Sequence, residues 1–192
     1  MKEELSKAIE IVKNGGVIIY PTDTACGIGC RIDNTDAVSR IFSIKGRETS
    51  KATPVLFSSV EMVEKYVEAI PQEVKKNLME KYWPGAVTII LRAEENVDPL
   101  IRGGGKTIGA RIPNYSDILT LIEEVGVPLI GTSANFSGEP SIFTTDDISG
   151  NLASLVDYVL QGECSFKKPS TVIDSTQEPW KVVREGAIVI SV

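Results

Sequence analysis

The sequence predicts a mixed α/β (α+β) protein, a twisted sheet of about seven strands with helices on both faces. Three observations lead there. Short apolar runs recur along the 192-residue chain, each bounded by glycine, proline or polar residues. Between many of them lie segments whose apolar residues fall at helical spacing. Near the C-terminus the runs follow one another without an intervening helix, which argues against a purely parallel, doubly wound sheet. The length suits one domain, so 1–192 is read as a single unit with no internal repeat or long linker.

Taken in order, Glu4 to Lys13 reads as a helix, with Leu5, Ala8, Ile9 and Val12 on one face and Gly15-Gly16 ending it. Val17 to Tyr20 is a buried strand, and the small, polar segment Pro21 to Gly29 after it has the character of a ligand loop. Asn34 or Thr35 caps a second helix through Val38, Ile41 and Phe42. A basic loop, Lys45 to Lys51, leads to a strand at Pro54 to Phe57. Ser58 and Glu61 have the spacing of a capping box for a helix running through Met62, Tyr66 and Val67. Pro71 opens the next helix, with Val74, Leu78 and Tyr82 on one face, and Trp83-Pro84-Gly85 stops it. Strands are expected at Val87 to Arg92 and Ile108 to Ile112, joined through the glycine triplet 103–105, read as a hinge or lid. A helix after Asp117 ends at Gly126, and strand Pro128 to Gly131 delivers Thr132 to Gly138. A short helix near Asp146 to Leu152 precedes strands near Val156 to Leu160, Thr171 to Ile173, Lys181 to Arg184 and Ala187 to Ile190.

Composition narrows the chemistry. There is no histidine, which excludes Ser-His-Asp and Cys-His nucleophile pairs and every imidazole metal ligand. Cys26, Cys30 and Cys164 form no metal or disulfide framework and read as reduced thiols. A net charge of −6 lacks the global positive field of a dedicated nucleic-acid binder, while leaving room for a local basic cleft. No apolar run approaches the ~20 residues of a membrane helix, and the mixed-charge N-terminus is unlike a signal peptide, so a cytoplasmic location is expected.

Four polar segments follow buried strands or helices and are expected to gather at one rim of the sheet. Lys45, Arg47 and Lys51 supply a guanidinium fork and point charges, as polyphosphate binding requires. Ser133-Ala134-Asn135 with Ser137-Gly138 offers hydroxyls, an amide and backbone donors suited to phosphate or ribose. Thr22 and Thr24 flank Asp23 as a polar floor, and Arg111 at a strand end is placed to clamp a carboxylate. The glycine triplet lacks the Gly-Lys-Ser/Thr ending of a Walker loop.

As an ordered set, these segments resemble the YrdC-like family. Tyr20-Pro21-Thr22-Asp23-Thr24 with Gly27-Ile28-Gly29 is similar to its first signature, and Lys45-Gly46-Arg47 with Lys51 to its KxR motif. Trp83-Pro84-Gly85 with Thr88, Arg111-Ile112-Pro113, and Ser133-Ala134-Asn135 with Ser137-Gly138 follow in the family's order. Pro169 to Asp174 and Val183 to Ala187 resemble its final motifs. The resemblance implies the family's twisted mixed sheet and the synthesis of threonylcarbamoyl-AMP and pyrophosphate from L-threonine, bicarbonate or carbon dioxide, and ATP. Magnesium would arrive with ATP and not on a dedicated protein site. Downstream transferase proteins would pass the threonylcarbamoyl group to tRNA, with at most weak direct tRNA contact.

The resemblance also implies roles. Lys45, Arg47, Ser133 and Asn135 are the expected catalytic set; Arg47, Lys51, Thr107, Ser133, Ser141 and Arg184 are expected on ATP; Thr24, Arg111 and Thr171 on threonine. Cys26, Glu48 and Ile142-Phe143 depart from the pattern, and Glu48 places an anion inside the phosphate loop. The competing expectations are a non-catalytic RNA-binding or ribosome-associated paralogue and a carbamoyl-transfer enzyme. The retained cations and the acidic charge balance weigh against the first, and the absence of attached maturation-type segments against the second.

Overall fold

A computed structural model describes residues 2–190. Helix α1 (Lys2–Lys13) leads into β1 (Ile18–Tyr20), which turns back antiparallel as β2 (Gly27–Gly29). Helix α2 (Thr35–Lys45) follows, its N-terminus capped by Asn34 and its end closed by Gly46 in the left-handed region. Next come β3 (Val55–Leu56) and the single turn α3 (Val60–Val63). A helical stretch follows in three pieces: α4 (Gln72–Val74), a π turn (Lys75–Met79) and α5 (Glu80–Tyr82). Strands β4 (Val87–Arg92) and β5 (Thr107–Arg111) precede α6 (Ser116–Val125), which ends at left-handed Gly126. Then come β6 (Leu129–Ile130), β7 (Thr132–Ser133), a 3-10 turn (Thr145–Asp147) and α7 (Gly150–Ala153). Strands β8 (Tyr158–Val159), β9 (Thr171–Asp174) and β10 (Lys181–Arg184) close the chain.

The strands form two mixed sheets, β7-β2-β1-β8 and β10-β9-β4-β5-β3-β6. Three pairs are parallel (β1 with β8, β3 with β5, β4 with β9) and the others antiparallel, the two kinds alternating across the six-stranded sheet. The sheets meet where the chain passes from β6 to β7 through Gly131, whose N–H donates to Pro54 O at 2.8 Å. A Cβ on Gly131 would lie 2.6 Å from Leu56 Cγ, so only glycine fits this crossing. Helices α1 and α6 bury Ala8, Val12, Ile118, Leu121 and Ile122 with Ile18, Tyr20 and Leu56 from the sheets. The larger core packs α2 and the 72–83 helical stretch on the remaining strand faces.

The predicted class holds, with ten short strands divided between two sheets in place of about seven in one. Gly27-Ile28-Gly29 is strand and not loop, because its glycines lie against the Tyr20 ring: a Cβ on Gly27 would sit 2.7 Å from Tyr20 Cε2. The cap of α3 is Ser59, not Ser58, and the helix stops after one turn. Residues 66–68 are drawn instead onto the end of β4, with Glu68 N donating to Arg92 O at 3.0 Å and Glu94 N to Tyr66 O at 3.0 Å. Ala187 to Ile190 is not a strand. Its backbone bonds go to Pro169 O and to the Thr171 hydroxyl, not to a ladder. Among the described residues, no helix is long and apolar enough to cross a membrane.

Candidate active site

A cavity of about 250 Å³ opens where β1, β2, β5, β7 and β9 end or begin. Three arginines line it, Arg47, Arg111 and Arg184, together with the hydroxyls of Thr22, Thr24, Thr88, Thr132, Ser133, Ser141 and Ser170. Among the described residues no carboxylate lines it. The cavity therefore favours an anionic occupant.

Arg111 ends β5 and is only 5% exposed. Its Nη2 pairs with Asp23 Oδ1, Nη1 donates to Thr24 Oγ1 at 2.6 Å, and Nε donates to Gly85 O at 2.9 Å. The Trp83-Pro84-Gly85 turn thus supplies an acceptor for this guanidinium. Trp83 Nε1 pins the turn through Val87 O at 2.7 Å. Burial lowers the Arg111 pKa, while Asp23 opposes that shift. A guanidinium has five N–H donors. Three are taken, and the others remain for an occupant of the cavity. Thr22 accepts from Thr24 N at 3.1 Å and donates to Ala25 O at 2.7 Å, which fixes the turn that presents Thr24.

Arg47 follows the left-handed Gly46 that ends α2. Its Nη2 donates to Ala52 O at 2.7 Å and its Nε to Lys51 O at 3.4 Å, so backbone carbonyls hold it over the cavity. Lys45 is 3% exposed and does not line the cavity. Its Nζ donates to Ser133 O, to Asn135 O at 2.7 Å and to Asn135 Oδ1 at 3.5 Å, while its own carbonyl accepts from Ser137 N at 2.8 Å. Burial pushes the Lys45 pKa down to about 8, with Arg47 adding to the shift. Asn135 in turn donates through Nδ2 to Phe136 O at 3.0 Å and Glu139 O at 2.6 Å. The 133–138 segment is folded around the Lys45 ammonium, which presents Ser133 to the cavity.

Arg184 ends β10 and donates to Ser170 O through Nε at 3.1 Å and Nη2 at 2.8 Å. Ser170 Oγ lies 2.8 Å from Thr88 Oγ1, tying this arginine to β4.

The structure therefore brings Thr24, Arg47, Arg111, Ser133, Ser141 and Arg184 to one cavity and sets Lys45 and Asn135 behind its wall. Three expected residues lie elsewhere. Thr107 starts β5, four residues and about 13 Å of strand from Arg111. Thr171 turns its hydroxyl away to Ile188 O and N, while Pro169 and Ser170, just before β9, line the cavity. Lys51 is exposed and pairs with Glu48 at 3.2 Å, so the anion in this loop faces a cation and not the cavity. Thr22 lines the cavity as part of the expected polar floor; Thr88 and Ser170 also belong to the site and had no expected role, although both lie within the motifs quoted above. Asp23 is committed to Arg111, and among the described residues no group of three or more acidic, Cys or His side chains is placed to hold a metal.

The departures from the family pattern have a structural account at one place. Cys26 N donates to Ile142 O and Cys164 N to Phe143 O, both at 2.8 Å, so residues 142–143 run between the two cysteines. Their sulfurs lie 3.7 Å apart, buried and unbonded. The Cys164 contact and burial hold Cys26 as a thiol.

A two-sheet α/β fold around an arginine-lined cavity, without an acid among the described residues, defines an anion-handling site at strand ends. The chain belongs to the Sua5/YciO/YrdC family, whose model, described as "Telomere recombination", matches residues 10–186. It is 35% identical over 195 residues to a putative threonylcarbamoyl-AMP synthase of Methanocaldococcus jannaschii, covering 98% of this chain and 90% of that protein. It is 31% identical over 190 residues to the threonylcarbamoyl-AMP synthase of Bacillus subtilis, covering 96% of this chain and 54% of that one. The crystal structure of Pyrococcus abyssi Sua5 complexed with L-threonine superposes with a TM-score of 0.91 at 32% identity, over 95% of this chain and 54% of that one. The chain thus spans about half the length of the B. subtilis and P. abyssi proteins.

Proposed function

We propose that this protein is an L-threonylcarbamoyladenylate synthase, a nucleotidyltransferase that forms threonylcarbamoyl-AMP and pyrophosphate from L-threonine, bicarbonate or carbon dioxide, and ATP. The observation that carries the reading is the set of three arginines on a cavity that no carboxylate of the described residues lines. In the proposed reaction the threonine amine and bicarbonate give a carbamate and water. A carbamate oxygen then bonds to the α-phosphorus of ATP as the bond to pyrophosphate breaks. No step needs a histidine, and the work asked of the protein is positioning and charge stabilisation.

In this reading the free N–H groups of Arg111 take the threonine carboxylate, beside Thr24. Arg47 and Arg184 take phosphate oxygens, and Ser133 and Ser141 donate to the nucleotide. Lys45 and Asn135 act through the 133–138 segment they hold. The lining donors are hydroxyls without an acid, a poor fit for a dedicated magnesium site. The ion is proposed to arrive on the triphosphate, where it supplies charge neutralisation for the departing pyrophosphate. Serine in place of threonine loses one methyl contact, a penalty of about 1 kcal/mol. The product would pass to a threonylcarbamoyl transferase acting on tRNA.

The test is incubation with ATP, magnesium, bicarbonate and L-threonine, following pyrophosphate and threonylcarbamoyl-AMP by mass. Product dependent on both threonine and bicarbonate is expected. Arg47→Ala should lower kcat/KM for ATP roughly tenfold to a hundredfold, the worth of a charge-assisted contact. Pyrophosphate released without threonine or bicarbonate would sink the reading.

A further inference from the structure

The glycine triplet that resembles no nucleotide-binding loop has a place in this site. Gly103 lies in the turn before β5 at φ +60°. A Cβ there would sit 2.5 Å from Ala52 N, 2.7 Å from Ser50 O and 3.0 Å from Lys51 C. All three are backbone atoms, so no side-chain rotation relieves the clash. The same two segments are joined by Thr53 N donating to Ile101 O at 2.9 Å. On this segment, the carbonyls of Lys51 and Ala52 accept from Arg47 and hold it over the cavity.

We propose that Gly103 is a positioning residue for Arg47: its bare Cα lets the 101–103 turn back the 50–53 segment at the one depth that puts both carbonyls within reach of the guanidinium. Arg47 has no carboxylate partner among the described residues. Its direction is therefore set by those carbonyls, and a shift of the segment moves the guanidinium with it. Burial disfavours the charged form of Arg47, and the two carbonyls are the acceptors that oppose that cost. The functional half of this inference rests on the assignment of Arg47 to the nucleotide phosphates. The structural half does not.

A natural control sits next door. Gly104 has φ +75° and nothing within 4 Å of where a Cβ would lie. Alanine at either position suffers left-handed strain, but only at Gly103 does it meet backbone. Gly103→Ala is expected to raise KM for ATP roughly tenfold with kcat changed less than about twofold, and Gly104→Ala to leave both unchanged. In an Arg47→Ala background Gly103→Ala should add little, since the residue it positions is gone. Hydrogen exchange read without any nucleotide should show the Lys51 and Thr53 amides faster in Gly103→Ala and unchanged in Gly104→Ala. If Gly103→Ala does not fold, Gly103→Asn keeps the Cβ clash with a residue better tolerated at positive φ.

Equal behaviour of the two glycine variants in exchange overturns the proposal, and so does full additivity with Arg47→Ala. If the wild-type protein uses no ATP, the synthase reading fails, while the exchange comparison still decides whether Gly103 sets the 50–53 segment.

Discussion

Two of the three arginines that line the cavity are held by different physics. Arg111 is locked at a strand end by a buried carboxylate, a threonine hydroxyl and the carbonyl of a pinned turn, all supplied by core elements. Arg47 hangs from two carbonyls of a loop whose neighbour Lys51 is 55% exposed and tied only to Glu48. One site is built with the core and cannot be altered without cost to folding. The other is held by main chain at the surface and can be altered with little such cost. Under the proposed reaction this fits a rigid pocket for the small amino acid and a looser clasp for the larger nucleotide.

The largest expected effect comes from breaking the rigid side. Arg111→Leu leaves Asp23 buried and unpaired, a destabilisation of about 3–5 kcal/mol. At this chain length that lowers Tm by roughly 6–20 °C in a calorimetric scan. Adding Asp23→Leu should recover most of the stability and none of the threonine binding. If the single variant keeps wild-type Tm, Arg111 is not locked as described.

An intermediate effect concerns Lys45, which stiffens the nucleotide side from below. Its folded pKa of about 8 lies under the ordinary value of 10.5, so the native protein loses this proton before the unfolded chain does. The unfolded state then binds more protons, and stability from this group rises with pH between about 8 and 10.5. Nucleotide affinity should run the other way, falling as pH passes about 8 and the cation behind Ser133 is discharged. Lys45→Met should abolish both trends and leave Asn135 O without its donor, at about 1–3 kcal/mol, while Ser133 O keeps the Asn135 amide. Calorimetric titration of ATP and thermal melts across pH 7 to 10 would show whether the two trends oppose each other. Parallel trends would contradict the account.

The smallest effect is at the surface. Glu48→Gln frees Lys51 from an exposed pair worth less than about 1 kcal/mol, so affinity for ATP should rise at most about threefold at low salt. The gain should vanish near ~0.5 M salt, where screening is short-ranged. A gain that survives high salt would mean that Glu48 acts through something other than charge.

The sequence was most legible where one element decides its own structure. Asn34 caps α2 and Gly126 ends α6 as expected, while α2 runs on through Lys45, which was read as loop. Legibility failed where tertiary contact overrode local preference. Residues 66–68 carry a helical pattern yet pair with the end of β4, and Ala187 to Ile190 looks like a strand yet bonds to a threonine hydroxyl. The same distinction runs through the site. Residues at strand ends, such as Arg111 and Ser133, could be placed from the motif order. Thr171 could not, because a motif gives the residue but not the direction of its side chain, and the hydroxyl of Thr171 turns to Ile188 while Ser170 lines the cavity. Lys45 reads from sequence as a phosphate ligand, and only its burial shows an ammonium spent on the protein's own carbonyls.

Gly131 sits at the seam between the two sheets, bonded to Pro54 O and pressed against Leu56, and it lines the cavity as well. The wall bearing Ser133 and the wall bearing Arg111 are thereby joined through a single strand crossing. One glycine thus sets the distance between the two halves of the pocket, and a side chain added there would be felt on both walls at once.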